Sequence, residues 1–100
     1  MIIESALITV RAGGEAGFEA AYAEAQRCLA GSAGYLGHSL RRSIENPLRY
    51  LLTVQWRSLE DHTVGFRGSP AFAAWRALIG PFFDGTPVVE HFRDLEGESR

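Results

Sequence analysis

The chain carries a single cysteine, Cys28, among its 100 residues, so no internal disulfide can form. Cys28 falls on the apolar face of an expected helix and reads as a small buried hydrophobe rather than a reactive thiol. No apolar run approaches the ~18 residues of a membrane span. The start, Met1-Ile2-Ile3-Glu4, has no basic n-region. These gaps lead to the expectation of a cytoplasmic protein that does not engage a membrane. An excess of one charge is missing too. Ten basic and twelve acidic residues give a net charge of −2, with no basic stripe to neutralise phosphates, so nucleic acid is not expected as a partner. The three histidines and scattered carboxylates lack metal-ligand spacing such as His-x-x-x-His, and no metal site is expected. There is no Gly-x-Gly-x-x-Gly or other phosphate-binding loop, and no serine sits in a nucleophile-elbow context.

What is present is ordinary globular material, 46% hydrophobic and 22% charged. One hundred residues make one domain, 1–100, and a chain this short buries only roughly 60–65% of its unfolded surface. Ile2 to Arg11 is rich in β-branched residues and reads as a strand, with Ala6, Ile8 and Val10 on one face and Leu7 and Thr9 on the other. After Gly13-Gly14 the period becomes helical from Glu15 to Leu29, through Phe18, Ala21, Tyr22, Ala25, Cys28 and Leu29, with Gly31 as the stop. Gly34 to Ile44 alternates again and places Leu36, His38, Leu40 and Ile44 on one face, with Arg42 as the odd charge among them. Asn46-Pro47 turns the chain into a strand from Tyr50 to Trp56, which lines one side with Tyr50, Leu52, Val54 and Trp56. Ser58, with Asp61 three residues on, resembles a capping box for a helix carrying Leu59, His62 and Phe66. Ser69-Pro70 restarts it, and Phe72, Trp75, Leu78, Ile79 and Phe82 form an apolar stripe that Gly80-Pro81 ends or bends. Val88 to Leu95 is the last strand, and Glu96 to Arg100 a polar tail.

Strand, helix, strand, strand, split helix, strand is the order of a ferredoxin-like α+β fold, βαββαβ, with a four-stranded antiparallel sheet and helices on one face. The other face then holds Leu7, Tyr35, Leu51 and Val89. Two sheets packed face to face would cover them, so a homodimer through the sheet faces is expected.

Certain runs then become recognisable. Trp56-Arg57-Ser58-Leu59-Glu60-Asp61-His62, Phe66-Arg67-Gly68-Ser69-Pro70-Ala71-Phe72 and Trp75-Arg76 resemble the central block of antibiotic biosynthesis monooxygenase domains. Pro87-Val88-Val89-Glu90-His91-Phe92 resembles the family's closing strand, and Gly34-Tyr35-Leu36 its lead-in to strand two. The resemblance spans nearly the whole chain. It implies a dimeric α+β barrel with a pocket between sheet and helices in each subunit. It also implies oxidation of an aromatic phenol, quinol or anthrone by O2, without flavin, haem, metal or other cofactor. Such chemistry asks the protein only to bind a flat ring, remove a proton and shelter the anion. The haem-degrading branch is disfavoured, because Phe66 and Arg76 stand where its Trp and His would be and strand one has no Asn. In the quinol-oxidising branch the histidine lies about one helical turn later, where this chain has Gly65.

His62 is the expected catalytic residue, a proton acceptor or relay on the apolar side of its helix. Its bland alternative is a buried histidine bonded to a backbone carbonyl. Trp56, Phe66, Phe72 and Trp75 are the expected apolar walls of a substrate site, each with core packing as the competing role. Tyr50 and His38, inward on neighbouring strands, are candidates for polar groups at the pocket floor. Arg42 has two options, an ion pair across a dimer or a contact to an anionic substrate. Arg67 and Arg76 are expected to be solvated, and Glu90 and His91 rank below His62. A non-catalytic dimeric binding protein, or an isomerase or cyclase on the same fold, are the alternatives to the oxygenase.

Overall fold

The computed structural model describes residues 1–95, so the expected polar tail lies outside the described residues. The elements are β1 (Ile2–Thr9), α1 (Glu15–Ala30), β2 (Tyr35–Arg42), β3 (Arg49–Trp56), a π-helical turn (Asp61–Phe66), α2 (Pro70–Ile79), a 3-10 turn (Gly80–Phe82) and β4 (Val88–Phe92). The strands form one antiparallel sheet in the order β2-β3-β1-β4. This is the ferredoxin-like α+β fold that the element order predicts. No helix among the described residues is long and apolar enough to cross a membrane.

Local chemistry sets the helix starts. Ser69 Oγ accepts the Phe72 N–H at 3.3 Å, and Pro70 occupies the first turn where its missing N–H costs nothing. Ser58 Oγ likewise accepts the Asp61 N–H at 3.2 Å. The capping box is only half formed, because the Asp61 carboxylate pairs with Arg57 at 3.2 Å through both oxygens instead of turning back. Gly34, at φ +81, is in the left-handed region, and a Cβ there would collide with that same Asp61 carboxylate. Its carbonyl accepts the Arg57 N–H at 2.8 Å. The start of β2 is thereby tied to the turn that carries His62.

Burial alternates along the two central strands. Ala6, Ile8, Val10, Tyr50, Leu52, Val54 and Trp56 are buried against Phe18, Tyr22, Ala25 and Leu29 of α1 and Trp75 and Ile79 of α2. Other expectations need correction. β1 ends at Thr9, with Val10 bridging to Phe83, and β4 stops at Phe92. Leu36 and Ile44 do not share the inner face of β2. The pairing slips between Tyr35 and Gly37, leaving Leu36 as an extra residue, 55% exposed, and Ile44 lies beyond the strand. The same bulge turns Tyr35 inward, its ring 6.3 Å from that of Trp56. Ala6 pairs with Val89 and Leu7 with Val88, so Val89 belongs to the inner face. The apolar residues of the outer face are therefore Ile3, Leu7, Leu51, Val88 and Phe92, not Val89 or Tyr35. Directly opposed residues share a face, and a one-residue error in parity inverts a strand.

Candidate functional site

Between the sheet and the helices lies a cavity of about 430 Å3. Ala6, Ile8 and Leu52 form its sheet wall, Phe66, Phe72, Trp75 and Ile79 its helical wall, and Thr86, Pro87 and Val89 one edge. Space persists because Ala6 offers only a methyl group in the middle of β1. The ionisable groups lining this mostly apolar space are Glu4, His62, Arg67 and Arg76.

His62 is positioned by the π-helical turn. The Arg67 N–H bonds the His62 carbonyl at 3.0 Å, a five-residue step, before Gly68 returns to the four-residue step with Val64 at 3.1 Å. The widened turn keeps both His62 and Phe66 facing the sheet while Arg67 reaches the cavity rim. Such turns recur at functional sites. The imidazole stacks on Trp56, with centroids 5.4 Å apart at 20°, and is 2% exposed.

Around it runs a chain of hydrogen-bonding groups. Trp56 Nε1–H donates to Glu4 Oε1 at 3.0 Å, His62 Nε2 lies 3.3 Å from the same oxygen, and His62 Nδ1 lies 2.8 Å from His91 Nε2. Burial lowers the His62 pKa to about 4, and the positive charge of Arg67 and the neighbouring His91 add to it. Burial also raises the Glu4 pKa, against the Trp56 hydrogen bond and Arg67, which lower it. His91 is pushed down by burial and Arg67. The Glu4–His62 contact has ion-pair geometry, yet both shifts oppose charge separation. It is a close contact of the carboxyl with a neutral imidazole, since desolvation outweighs the attraction at this depth. With Glu4 ionised, the consistent arrangement has His91 Nε2–H donating to His62 Nδ1 and His62 Nε2–H facing Glu4. With Glu4 protonated, His62 Nδ1–H donates to His91 Nε2 and the bare Nε2 faces the carboxyl. The chain thus connects a buried carboxylate beside the cavity to a half-buried histidine on β4.

Of the residues expected from the sequence, His62, Phe66, Phe72 and Trp75 meet around the cavity. Trp56, Tyr50 and His38 do not line it. Trp56 is fully buried behind His62 and holds Glu4. Tyr50 donates its hydroxyl to Glu19 Oε2 at 2.6 Å, and His38 Nδ1 is bonded to the Tyr35 hydroxyl at 2.5 Å. Arg42 lies on β2 away from the cavity. It pairs within the chain with Glu15 at 3.7 Å and Glu19 at 3.4 Å. Arg67 and Arg76 are solvent-exposed, as expected, but stand on the cavity rim. Glu4 was not anticipated. Its signal lay in the alternation of β1, where stepping back from Val10, Ile8 and Ala6 arrives at a carboxylate on the apolar face. Among the described residues no group of three or more His, Cys, Asp or Glu is placed to hold a metal ion.

Comparison with known proteins places this geometry in a family. The chain is 43% identical over 95 residues to YczJ of Bacillus subtilis (strain 168), an uncharacterized protein, covering 95% of this chain and 100% of that one. A crystal structure from Bordetella bronchiseptica, described as a candidate antibiotic biosynthesis monooxygenase, superposes with TM-score 0.91 at 42% identity, covering 94% of this chain and 96% of that one. SnoaB, a cofactor-independent oxygenase from Streptomyces nogalater, shares the fold with TM-score 0.82 at 19% identity, over 95% of this chain and 93% of its own. The family model for antibiotic biosynthesis monooxygenase matches residues 1–78, and the chain belongs to that family.

Proposed function

We propose that this protein is a cofactor-independent monooxygenase that oxidises a flat phenol-, quinol- or anthrone-like molecule with O2. The observation that carries the reading is one buried imidazole, hydrogen-bonded at Nδ1 to His91 and 3.3 Å from the Glu4 carboxyl at Nε2, in the wall of a mostly apolar cavity of about 430 Å3. Phe66, Phe72 and Trp75 supply ring surfaces for a planar substrate, and His62 serves as proton acceptor or relay. Removing a phenolic or benzylic proton makes the substrate a much better electron donor. An anthrone-type methylene that becomes a carbonyl gives up four electrons. O2 accepts four, one oxygen entering the product and the other leaving as water, so no outside reductant is needed. The cavity excludes water from the anion, and Arg67 and Arg76 at its rim offset the negative charge.

The active form is a homodimer joined through the outer sheet face, where Leu7, Leu51, Val88 and Phe92 are 37%, 37%, 65% and 48% exposed. A contiguous patch of this kind on a small domain favours self-association. Sedimentation at micromolar concentration checks this, and a monomer there refutes it.

The deciding measurement is oxygen uptake by metal-free protein with a panel of anthrones and hydroquinones, wild type beside His62→Ala. Uptake that needs the protein and falls roughly 100-fold or more on substitution is the expected result. No uptake across the panel would transfer the site to a binding protein or to an isomerase or cyclase, whose substrate would change without oxygen.

A further inference from the structure

His62 has no ring nitrogen to spare. Its Nε2 faces Glu4 Oε1 at 3.3 Å and its Nδ1 faces His91 Nε2 at 2.8 Å, while the ring lies flat on Trp56. A substrate proton must therefore land first on another atom. Among the cavity-lining groups, Arg67 and Arg76 carry only donors, which leaves Glu4 as the ionisable acceptor free to take it. Trp56 and His62 both converge on Oε1 of its carboxylate. A carboxylate has a second oxygen with its own lone pairs. We propose that Glu4 is the catalytic base, taking a proton from the phenolic O–H or activated benzylic C–H of the substrate, and that His62 and His91 relay that proton to solvent.

Each step moves one proton and no electrons. The substrate's O–H or C–H bond breaks and an O–H bond forms on Glu4. With His62 in the tautomer whose Nδ1–H donates to His91 Nε2, the Glu4 carboxyl passes its proton to His62 Nε2. His62 releases its Nδ1 proton to His91 Nε2, and His91, half-buried on β4, releases its Nδ1 proton to water. This leaves His62 Nε2–H facing the ionised Glu4 and His91 Nε2–H facing His62 Nδ1. Proton exchange with water at His91 together with ring rotation restores the first tautomer before the next turnover. The titratable, charged and hydrogen-bonding groups around this carboxylate come from every packed element: Trp56 on β3, His91 opposite Glu4 on β4, Tyr22 on α1, His62 and Arg67 on the π-helical segment, and Arg76 of α2 on the rim of the same cavity. Burial makes Glu4 a stronger base than an exposed carboxylate, and Arg67 offsets the charge left on the substrate.

This role rests on the aromatic substrate proposed above, and oxygen-free exchange separates the two readings. Anthrone is incubated anaerobically in D2O with the full-length protein, and loss of its methylene proton signal is followed by NMR. Wild type accelerates exchange over buffer. Glu4→Gln, which keeps the shape and an acceptor for Trp56, loses roughly 10²–10⁴-fold of that acceleration. Glu4→Asp, with a carboxylate on a shorter stem, retains part of it, which a purely structural role would not produce. His91→Gln slows deuterium incorporation several-fold, because the abstracted proton returns to the substrate before solvent replaces it. Wild-type exchange in Glu4→Gln, or none above buffer in the wild type, overturns the role of Glu4. Protein-dependent exchange without oxygen uptake in air would refute the oxygenase and leave Glu4 as the base. Undiminished uptake by Glu4→Gln would do the reverse.

Discussion

The space between the sheet and the helices has two halves that differ in how they are filled. Beneath α1, over β2 and β3, rings occupy it. Phe18 lies 4.7 Å from Tyr50, Tyr22 meets Trp75 edge-on at 5.7 Å, and Tyr35 meets Trp56 at 6.3 Å. Polar atoms in that half mostly end on short local partners: Tyr50 on Glu19, Glu19 on Arg42, His38 on Tyr35. Burial and the Glu19 hydrogen bond push the Tyr50 hydroxyl up to about 12, so it acts only as a donor. Tyr22 is the exception, a buried hydroxyl with no hydrogen-bond partner. Under α2, over β1 and β4, Ala6 leaves a void, and the polar groups form a chain leading out of it. Aromatic residues on a helical stripe say little about function by themselves. A buried carboxylate and imidazole facing empty apolar space say much more, because each costs stability where a hydrocarbon would not.

The sharpest way to test this division is to hollow the filled half. Phe18→Ala removes a fully buried ring that touches Tyr50 and Tyr22, and should cost about 3–5 kcal/mol in denaturant unfolding. A loss below 1 kcal/mol would mean that this half is not close-packed.

In the other half the pH dependence of stability carries the contrast. The folded His62 pKa of about 4 lies below its unfolded value, so between about pH 4 and 6.5 the unfolded chain binds more protons. Stability from this group is complete above that window and falls as pH drops through it, on the order of 1 kcal/mol per pH unit at most. Glu4, with its pKa raised, acts in the opposite sense and loses stability as pH rises through its folded value. The wild-type Tm should therefore fall gently from pH 6.5 to 4.5, more steeply in Glu4→Gln, and least in His62→Gln. Calorimetry across that range decides it, and equal slopes in all three proteins would remove the buried couple.

The smallest effect is a fill of the void. Ala6→Leu should weaken binding of a planar aromatic probe about tenfold or more while lowering stability by less than about 1 kcal/mol, because the added atoms enter empty space rather than a packed core. A cost of 3 kcal/mol, measured by urea unfolding beside a fluorescence titration, would show the cavity to be smaller than described.

Much of this was legible beforehand, for identifiable reasons. Periodicity locates β3 and its buried set Tyr50, Leu52, Val54 and Trp56, because two-residue alternation against a one-sided core leaves no freedom. Ser69-Pro70 marks the start of α2 because capping is local chemistry. What depends on pairing was not legible. The bulge at Leu36 and the parity of Val88 against Val89 are fixed by partner strands distant in sequence. The cavity follows the same logic. His62, Phe66, Phe72 and Trp75 lie within fourteen residues on two successive helical elements, so local periodicity is enough to bring them together. Glu4 and His91 reach His62 only through the β1–β4 pairing, in which they stand directly opposite one another. The alternation of β3 sets Trp56 inward as a cavity wall, but pairing with β1 turns its ring to hold Glu4 from behind.

β4 is a five-residue strand at the sheet edge, and its alternate residues serve different masters. Val89 and His91 belong to the cavity side, while Val88 and Phe92 form part of the apolar outer face. A partner settling on the outer face and a ligand settling in the cavity would thus restrain one and the same short segment. Whichever arrives first leaves less conformational entropy for the other to remove, and by reciprocity each tightens the other by the same factor. Ligand affinity would then rise with protein concentration, with no contact between the two sites.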